Sequence, residues 1–153
     1  MELRIRHMIR DDLKAVHQME RRIFSDPWPR IALEEHMEYP DSGAVVVETD
    51  SRIIGYACWR IEFDDLHLTN LAVAPAYRRK SVARTLLAHI LSFAEKRDCE
   101  LVFLEVRDSN RAAREFYEKA GFAVIDRIPG YYEKPKEDAV IMALRLATDL
   151  GNR

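Results

Sequence analysis

Between residues 44 and 106 the hydrophobic period changes twice, and few folds accommodate such a run. Residues 44–49, 52–62 and 66–74 are β-type stretches rich in Val, Ile, Tyr, Trp and Leu. The junctions at Asp50-Ser51 and Asp64-Asp65 are too short for anything but tight turns, so antiparallel hairpins are expected. From Tyr77 the spacing becomes helical, with Val82, Leu86, Leu87, Ile90, Leu91 and Ala94 on one stripe ending near Arg97-Asp98. Leu101 to Val106 then forms a dense apolar run, which predicts a strand buried on both faces.

The flanks extend the pattern. Leu3, Ile5 and His7 alternate with Arg4 and Arg6 as an opening strand. Arg10-Asp11-Asp12 starts a helix over 11–24, with Leu13, Val16, Met19 and Ile23 on its apolar face. Ser25-Asp26-Pro27-Trp28-Pro29 breaks that helix before a short one over 30–38. Asn110 is a natural N-cap for a helix reaching Ala120, and Gly121 its stop. Strands over 122–127 and 138–146 follow, separated by a loop containing Gly-Tyr-Tyr-Glu-Lys-Pro. The order β-α-α-β-β-β-α-β-α-β-β predicts an α/β fold with one mixed sheet and helices on both faces. At 153 residues one domain is expected, here 1–147, with 148–153 as a C-terminal tail.

Composition narrows the function classes. A net charge of -2 argues against a general nucleic-acid binder, so any phosphate must be met by a local basic cluster. Cys58 and Cys99 each sit in an apolar strand and read as reduced core residues rather than a disulfide, a metal pair or nucleophiles. His7, His17, His36, His67 and His89 show no metal-ligand spacing, so no metal is expected. The charged N-terminus and the absence of a long apolar run predict a cytoplasmic chain with no membrane partner.

The basic cluster is Arg78-Arg79-Lys80-Ser81-Val82-Ala83-Arg84, at the start of the most strongly periodic helix. A helix N-terminus offers free N–H groups and a positive dipole end, which favours anions and disfavours cations. Four cations there make sense around a bound anion; a solvated basic turn is the plainer alternative. The turn has neither the Walker pattern nor the Gly-x-Gly-x-x-Gly dinucleotide pattern.

At this point the chain resembles the GCN5-related N-acetyltransferases (the GNAT superfamily). Their Arg/Gln-x-x-Gly-x-Gly/Ala turn follows a strand, opens a helix and holds the pyrophosphate of CoA. Here it reads Arg78-Arg79-Lys80-Ser81-Val82-Ala83, with Ser81 where the family has glycine. The likeness continues through Asp26-Pro27-Trp28, Asn70-Leu71-Ala72-Val73, Leu104-Glu105-Val106-Arg107-Asp108-Ser109-Asn110, Phe116-Tyr117-Glu118, Ala120-Gly121-Phe122 and residues 138–144. Over about Ile5 to Leu146 the chain is similar to the RimI-type branch, which acetylates protein N-termini, in bacteria the N-terminal alanine of a small-subunit ribosomal protein.

The resemblance implies acetyl-CoA as cosubstrate and a protein N-terminus, that of a ribosomal protein included, as partner. The pantetheine arm would run along the backbone of Leu71, Ala72 and Val73, and the phosphates would sit on Arg78, Arg79, Lys80, Ser81, Val82, Ala83 and Arg84. At Ser81 the Cβ is expected to crowd the pyrophosphate and weaken CoA binding. Asn110 matches a CoA-contacting asparagine, beside its reading as N-cap. Glu105, the one charge in its apolar run, would be the general base, directly or through water; a strand-end or ion-paired Glu is the alternative. Tyr117 would protonate the leaving thiolate, or serve only as a core tyrosine with its hydroxyl at the edge. Trp28, Tyr131 and Tyr132 are the substrate-side candidates, with Trp28 equally readable as a core plug. Acetyl transfer to lysine or a small amine, and a non-catalytic acyl-CoA-binding module, are the competing functions.

Overall fold

The computed structural model describes residues 1–79 and 81–147; Lys80 and the expected tail 148–153 lie outside the described residues. Seven strands form one sheet: β1 (Arg4–His7), β2 (Ser42–Thr49), β3 (Arg52–Glu62), β4 (Asp65–Val73), β5 (Leu101–Arg107), β6 (Ala123–Glu133) and β7 (Lys136–Arg145). Among the described residues four α-helices complete it: α1 (Leu13–Ile23), α2 (Arg30–Glu38), α3 (Val82–Lys96) and α4 (Arg111–Lys119). The sheet order is β1-β2-β3-β4-β5-β7-β6, antiparallel except between β4 and β5. The expected α/β architecture with a mostly antiparallel mixed sheet is the one observed.

The layers follow from the two-residue period of the strands. Val46, Tyr56, Cys58 and Ala72 point to one face and pack with Leu13 and Val16 of α1 and Leu33 of α2. Val45, Val47, Ala57 and Trp59 point to the other, against Leu86 and Ile90 of α3 and Tyr117 of α4. Asp50 and Ser51 join β2 to β3 with φ of 50° and 61°, the paired left-handed geometry of a type I′ hairpin. The next turn is centred on Phe63 and Asp64, one residue earlier than the sequence suggested.

Three expectations need correction. β5 is buried on one face only: Val102, Leu104 and Val106 are in the core, while Phe103, Glu105 and Arg107 are half-buried on the other side. The Gly-Tyr-Tyr-Glu segment is no loop; β6 runs on to Glu133 because Tyr132 and Glu133 pair with Glu137 and Lys136 of β7. Cys99 lies in the connection before β5, not in a strand, though it is buried and free like Cys58. Burial pushes the Cys58 thiol up to about 12, so neither position suits a nucleophile. No helix of the described residues is long and apolar enough to cross a membrane.

The β4–β5 seam positions the site. Parallel pairing covers only Asp65–His67 against Leu101–Phe103. Beyond it the strands part, and at that point β4 carries a bulge: Trp59 pairs with Leu68 and Cys58 with Asn70, leaving Thr69 between them. The backbone of residues 68–73 is therefore an open edge facing a cleft.

Candidate active site

Glu105 sits on β5 where the strands have parted, its side chain 14% exposed. The charge is paired: Nε2 of His67 lies 2.6 Å from Oε2, and the Tyr131 hydroxyl donates to Oε1 at 3.2 Å. His67 belongs to the last β4 pair before the splay, and its ring stacks on Phe103 at 4.4 Å and 9°. Burial, and then the Glu105 carboxylate, raise the hydroxyl pKa of Tyr131 and push that of Tyr132 up to about 12.

Tyr117 comes to the same cleft from α4. Its ring meets Phe116 and Phe122 edge-on at 5.1 and 5.4 Å, and burial lifts its hydroxyl well above the ordinary tyrosine range. Glu105, Tyr117, Leu71, Asn110, Trp28 and Tyr132 all line this cleft of about 220 Å³. Asn110 is also the N-cap of α4, its side-chain oxygen accepting from the Ala113 N–H at 3.1 Å. Trp28 packs against His36 at 5.9 Å and also lines the cleft.

An outer chamber of about 540 Å³ opens beside Glu105, walled by Trp28, Arg60, His67, Tyr131, Tyr132 and Glu133. On the far side, a cleft of about 700 Å³ is lined by Val73, Arg78, Arg79, Ser81, Ala83 and Arg84, with Phe116 opposite. The two clefts adjoin, because Leu71 and Tyr117 line one while Val73 and Phe116 line the other. Val82 also borders the second cleft, but the whole residue is 1% exposed and packs in the core. Ala72 likewise turns its side chain into the α1–α2 side of the core.

The turn before α3 has a definite conformation. Arg79 and Ser81 hold φ of 62° and 65°, and Ser81 carries ψ of 12° as the N-cap. This left-handed geometry explains why glycine suits the position, and the serine Cβ strains it by roughly 1–2 kcal/mol. The Ser81 carbonyl accepts from both the N–H and hydroxyl of Thr85, which closes the first turn of α3, whose leading N–H groups have no partner within the helix. Lys80, expected beside them, lies outside the described residues.

Three groups at the site escaped the sequence reading. His67 was visible only as a polar residue alternating with Leu66 and Leu68. Glu20 is 2% exposed and accepts from the Trp28 N–H at 2.8 Å, from Asn70 Nδ2 at 3.3 Å and from the Tyr56 hydroxyl. Its signal was a carboxylate seven residues after Leu13, on the inward stripe of α1. Arg107, on the same face of β5 as Glu105, reaches both Asp26 and the β6–β7 connection.

The arrangement fits an acyl-CoA: an open strand edge for an amide-rich arm, a cation-lined helix N-terminus for phosphates, and a carboxylate and hydroxyl at the end of the arm. The profile described as "Acetyltransferase (GNAT) family" matches residues 13–122. A Bacillus subtilis protein named putative [ribosomal protein bS18]-alanine N-acetyltransferase is 33% identical, covering 90% of this chain and 92% of its own. The crystal structure of the ribosomal-protein-S18-alanine N-acetyltransferase from Escherichia coli superposes with a TM-score of 0.88 at 30% identity, covering 97% of each chain. Arabidopsis thaliana NAA60, solved in complex with acetyl-CoA, shares the fold with a TM-score of 0.85 at 18% identity, covering 95% of this chain and 99% of its own. The chain belongs to the acetyltransferase (GNAT) family and is an acetyl-CoA-dependent N-acetyltransferase.

Proposed function

We propose that the acceptor is the α-amine of a protein N-terminus, a ribosomal protein of the bS18 kind included, and that acetyl passes to it directly. The observation that carries the mechanism is that Glu105 of β5 and Tyr117 of α4 line one cleft. The names of the relatives from Bacillus subtilis and Escherichia coli support the acceptor.

Acetyl transfer poses two proton problems. An α-ammonium, with a pKa near about 8, must lose a proton to attack, and a departing thiolate, of pKa roughly 8.5, is better released protonated. Glu105 receives the amine proton, directly or through a water, while His67 and Tyr131 hold its two oxygens. The neutral amine nitrogen then forms its bond to the thioester carbonyl carbon, the carbon–sulfur bond breaks, and the further proton that the nitrogen sheds as the amide forms restores, through water, the hydroxyl that protonates the sulfur. Tyr117 supplies the proton to the leaving sulfur; burial keeps that hydroxyl protonated until it is needed. Arg78, Arg79 and Arg84, with the N–H groups of Ser81, Val82 and Ala83, bind the phosphates, and residues 71–73 offer backbone groups to the arm. Trp28, Tyr131 and Tyr132 flank the acceptor. Two buried free thiols fit a reducing compartment, which for this reading is the cytoplasm.

Thiol release from acetyl-CoA, measured with peptides of varied N-terminus and with N-terminally blocked peptides bearing lysine, tests the proposal. Turnover should require a free α-amine and depend on the first residues. Turnover on blocked lysine peptides alone would transfer the activity to side-chain amines. Tight CoA binding with no turnover on any acceptor would leave a binding module.

A further inference from the structure

We infer that Arg107 is a positioning residue, a clasp that ties the two walls of the acceptor entrance together and so sets which amines can enter. The inference rests on the N-terminal acceptor proposed above. Arg107 lies two residues beyond Glu105 on the same face of β5, its side chain 18% exposed. One nitrogen, Nη2, donates to Asp26 Oδ2 at 2.8 Å, to Ser25 Oγ at 3.3 Å and to the Lys134 carbonyl at 3.1 Å. The other, Nη1, donates to the Pro135 carbonyl at 2.9 Å and to Glu137 Oε1 at 3.2 Å. The guanidinium also lies 4.3 Å over the Tyr132 ring.

These partners come from two segments more than a hundred residues apart: the connection after α1, and the end of the β6–β7 hairpin, residues 132–137. The segments also touch directly, the Lys134 N–H donating to Asp26 Oδ2 at 3.1 Å. Each carries an aromatic wall of the acceptor cleft, Trp28 on one and Tyr132 on the other. A planar guanidinium can fork to both at once and stack on a ring; an ammonium offers neither. The contacts to Ser25, Lys134 and Pro135 are exposed and individually weak, but with the part-buried pairs to Asp26 and Glu137 they bridge the entrance. A narrow, fixed mouth suits the free end of an extended chain, and loosening it should admit other amines less selectively.

Asp26→Asn and Arg107→Lys test this. Asp26→Asn weakens the cross-entrance link while Glu137 still pairs Arg107, and Arg107→Lys keeps the charge but loses the fork. In both variants the exchange of the Lys134 amide should rise roughly tenfold, read by hydrogen exchange whatever the acceptor. The kcat/KM for N-terminal peptides should fall roughly tenfold, chiefly through peptide KM, with acetyl-CoA affinity unchanged and discrimination against blocked lysine peptides reduced. Unchanged Lys134 exchange would overturn the clasp. So would faster exchange with unaltered peptide KM, or a matching loss of acetyl-CoA affinity, which would mark a general structural role. A wild-type enzyme inactive on every N-terminal peptide would instead sink the acceptor reading and the specificity role together; a failure of the clasp alone appears as an active wild type with indifferent variants.

Discussion

Oε2 of Glu105 lies 2.6 Å from Nε2 of His67, at the last residue pair before β4 and β5 separate. The carboxylate that would have been costly in an apolar run is thus held by an imidazole from the neighbouring strand and by the Tyr131 hydroxyl, with the cleft beyond it. Glu105→Gln keeps the shape and removes the base. Its kcat should fall by roughly 10²- to 10⁴-fold while the acetyl-CoA dissociation constant stays as in the wild type. Steady-state kinetics and calorimetric titration of acetyl-CoA give the two quantities; equal losses in both would count against proton transfer by Glu105.

Tyr117→Phe separates the hydroxyl from the ring. The edge-on contacts with Phe116 and Phe122 involve only the ring, so stability should change little. Turnover should fall by roughly 10²-fold or more if the hydroxyl protonates the leaving sulfur. Burial holds this hydroxyl above the ordinary tyrosine value, so its proton is retained as pH rises through about 10. The kcat profile of the wild type should accordingly show no alkaline loss from this group below that pH; a fall there that Tyr117→Phe abolishes would mean that burial does not hold the hydroxyl above its ordinary value.

Local features were legible because local physics sets them. The Asp50-Ser51 junction demanded a tight hairpin, and Asn110 and Gly121 bracket α4 as cap and stop. The splay of β4 from β5 was not legible, since it depends on three parallel pairs between segments more than thirty residues apart. Glu20 and His67 stood out only as polar residues in apolar periods; their partners Tyr56, Asn70 and Glu105 are 36, 50 and 38 residues away. The Gly130-Tyr131-Tyr132 segment looked like a loop because a glycine, with φ of 62°, interrupts it, yet β7 pairing carries the strand past that point.

Ser81→Gly tests the turn where the chain departs from its family. Glycine adopts the φ of 65° without the Cβ penalty, so the substitution should stabilise the fold by about 1 kcal/mol. In a protein of this size that is a rise in Tm of roughly 2–4 °C. Removing the Cβ from the first turn of α3 should also tighten acetyl-CoA binding, because the phosphates approach the backbone there. A higher Tm with unchanged affinity would show that the serine strains the turn without crowding the cofactor.

Asp12 gives the fold a defined acid limit. Arg6 donates to its two oxygens at 2.8 and 2.9 Å, and the Ile9 N–H donates at 2.8 Å, pinning β1 to the start of α1. The hydrogen bonds from Arg6 hold the Asp12 carboxyl below the usual carboxylate range. A depressed carboxylate contributes stability that is present in full above its unfolded pKa, near about 3.9, and is lost as pH falls from there through the lower folded value. Asp12→Asn should therefore unfold more easily than the wild type at pH 7, by about 1–2 kcal/mol. That gap should narrow as both are titrated below about pH 4, because the wild-type carboxyl is then neutralised as well. Urea unfolding of the two proteins at neutral and acid pH measures it; a gap that stays constant with pH would mean that it does not arise from the charge on Asp12.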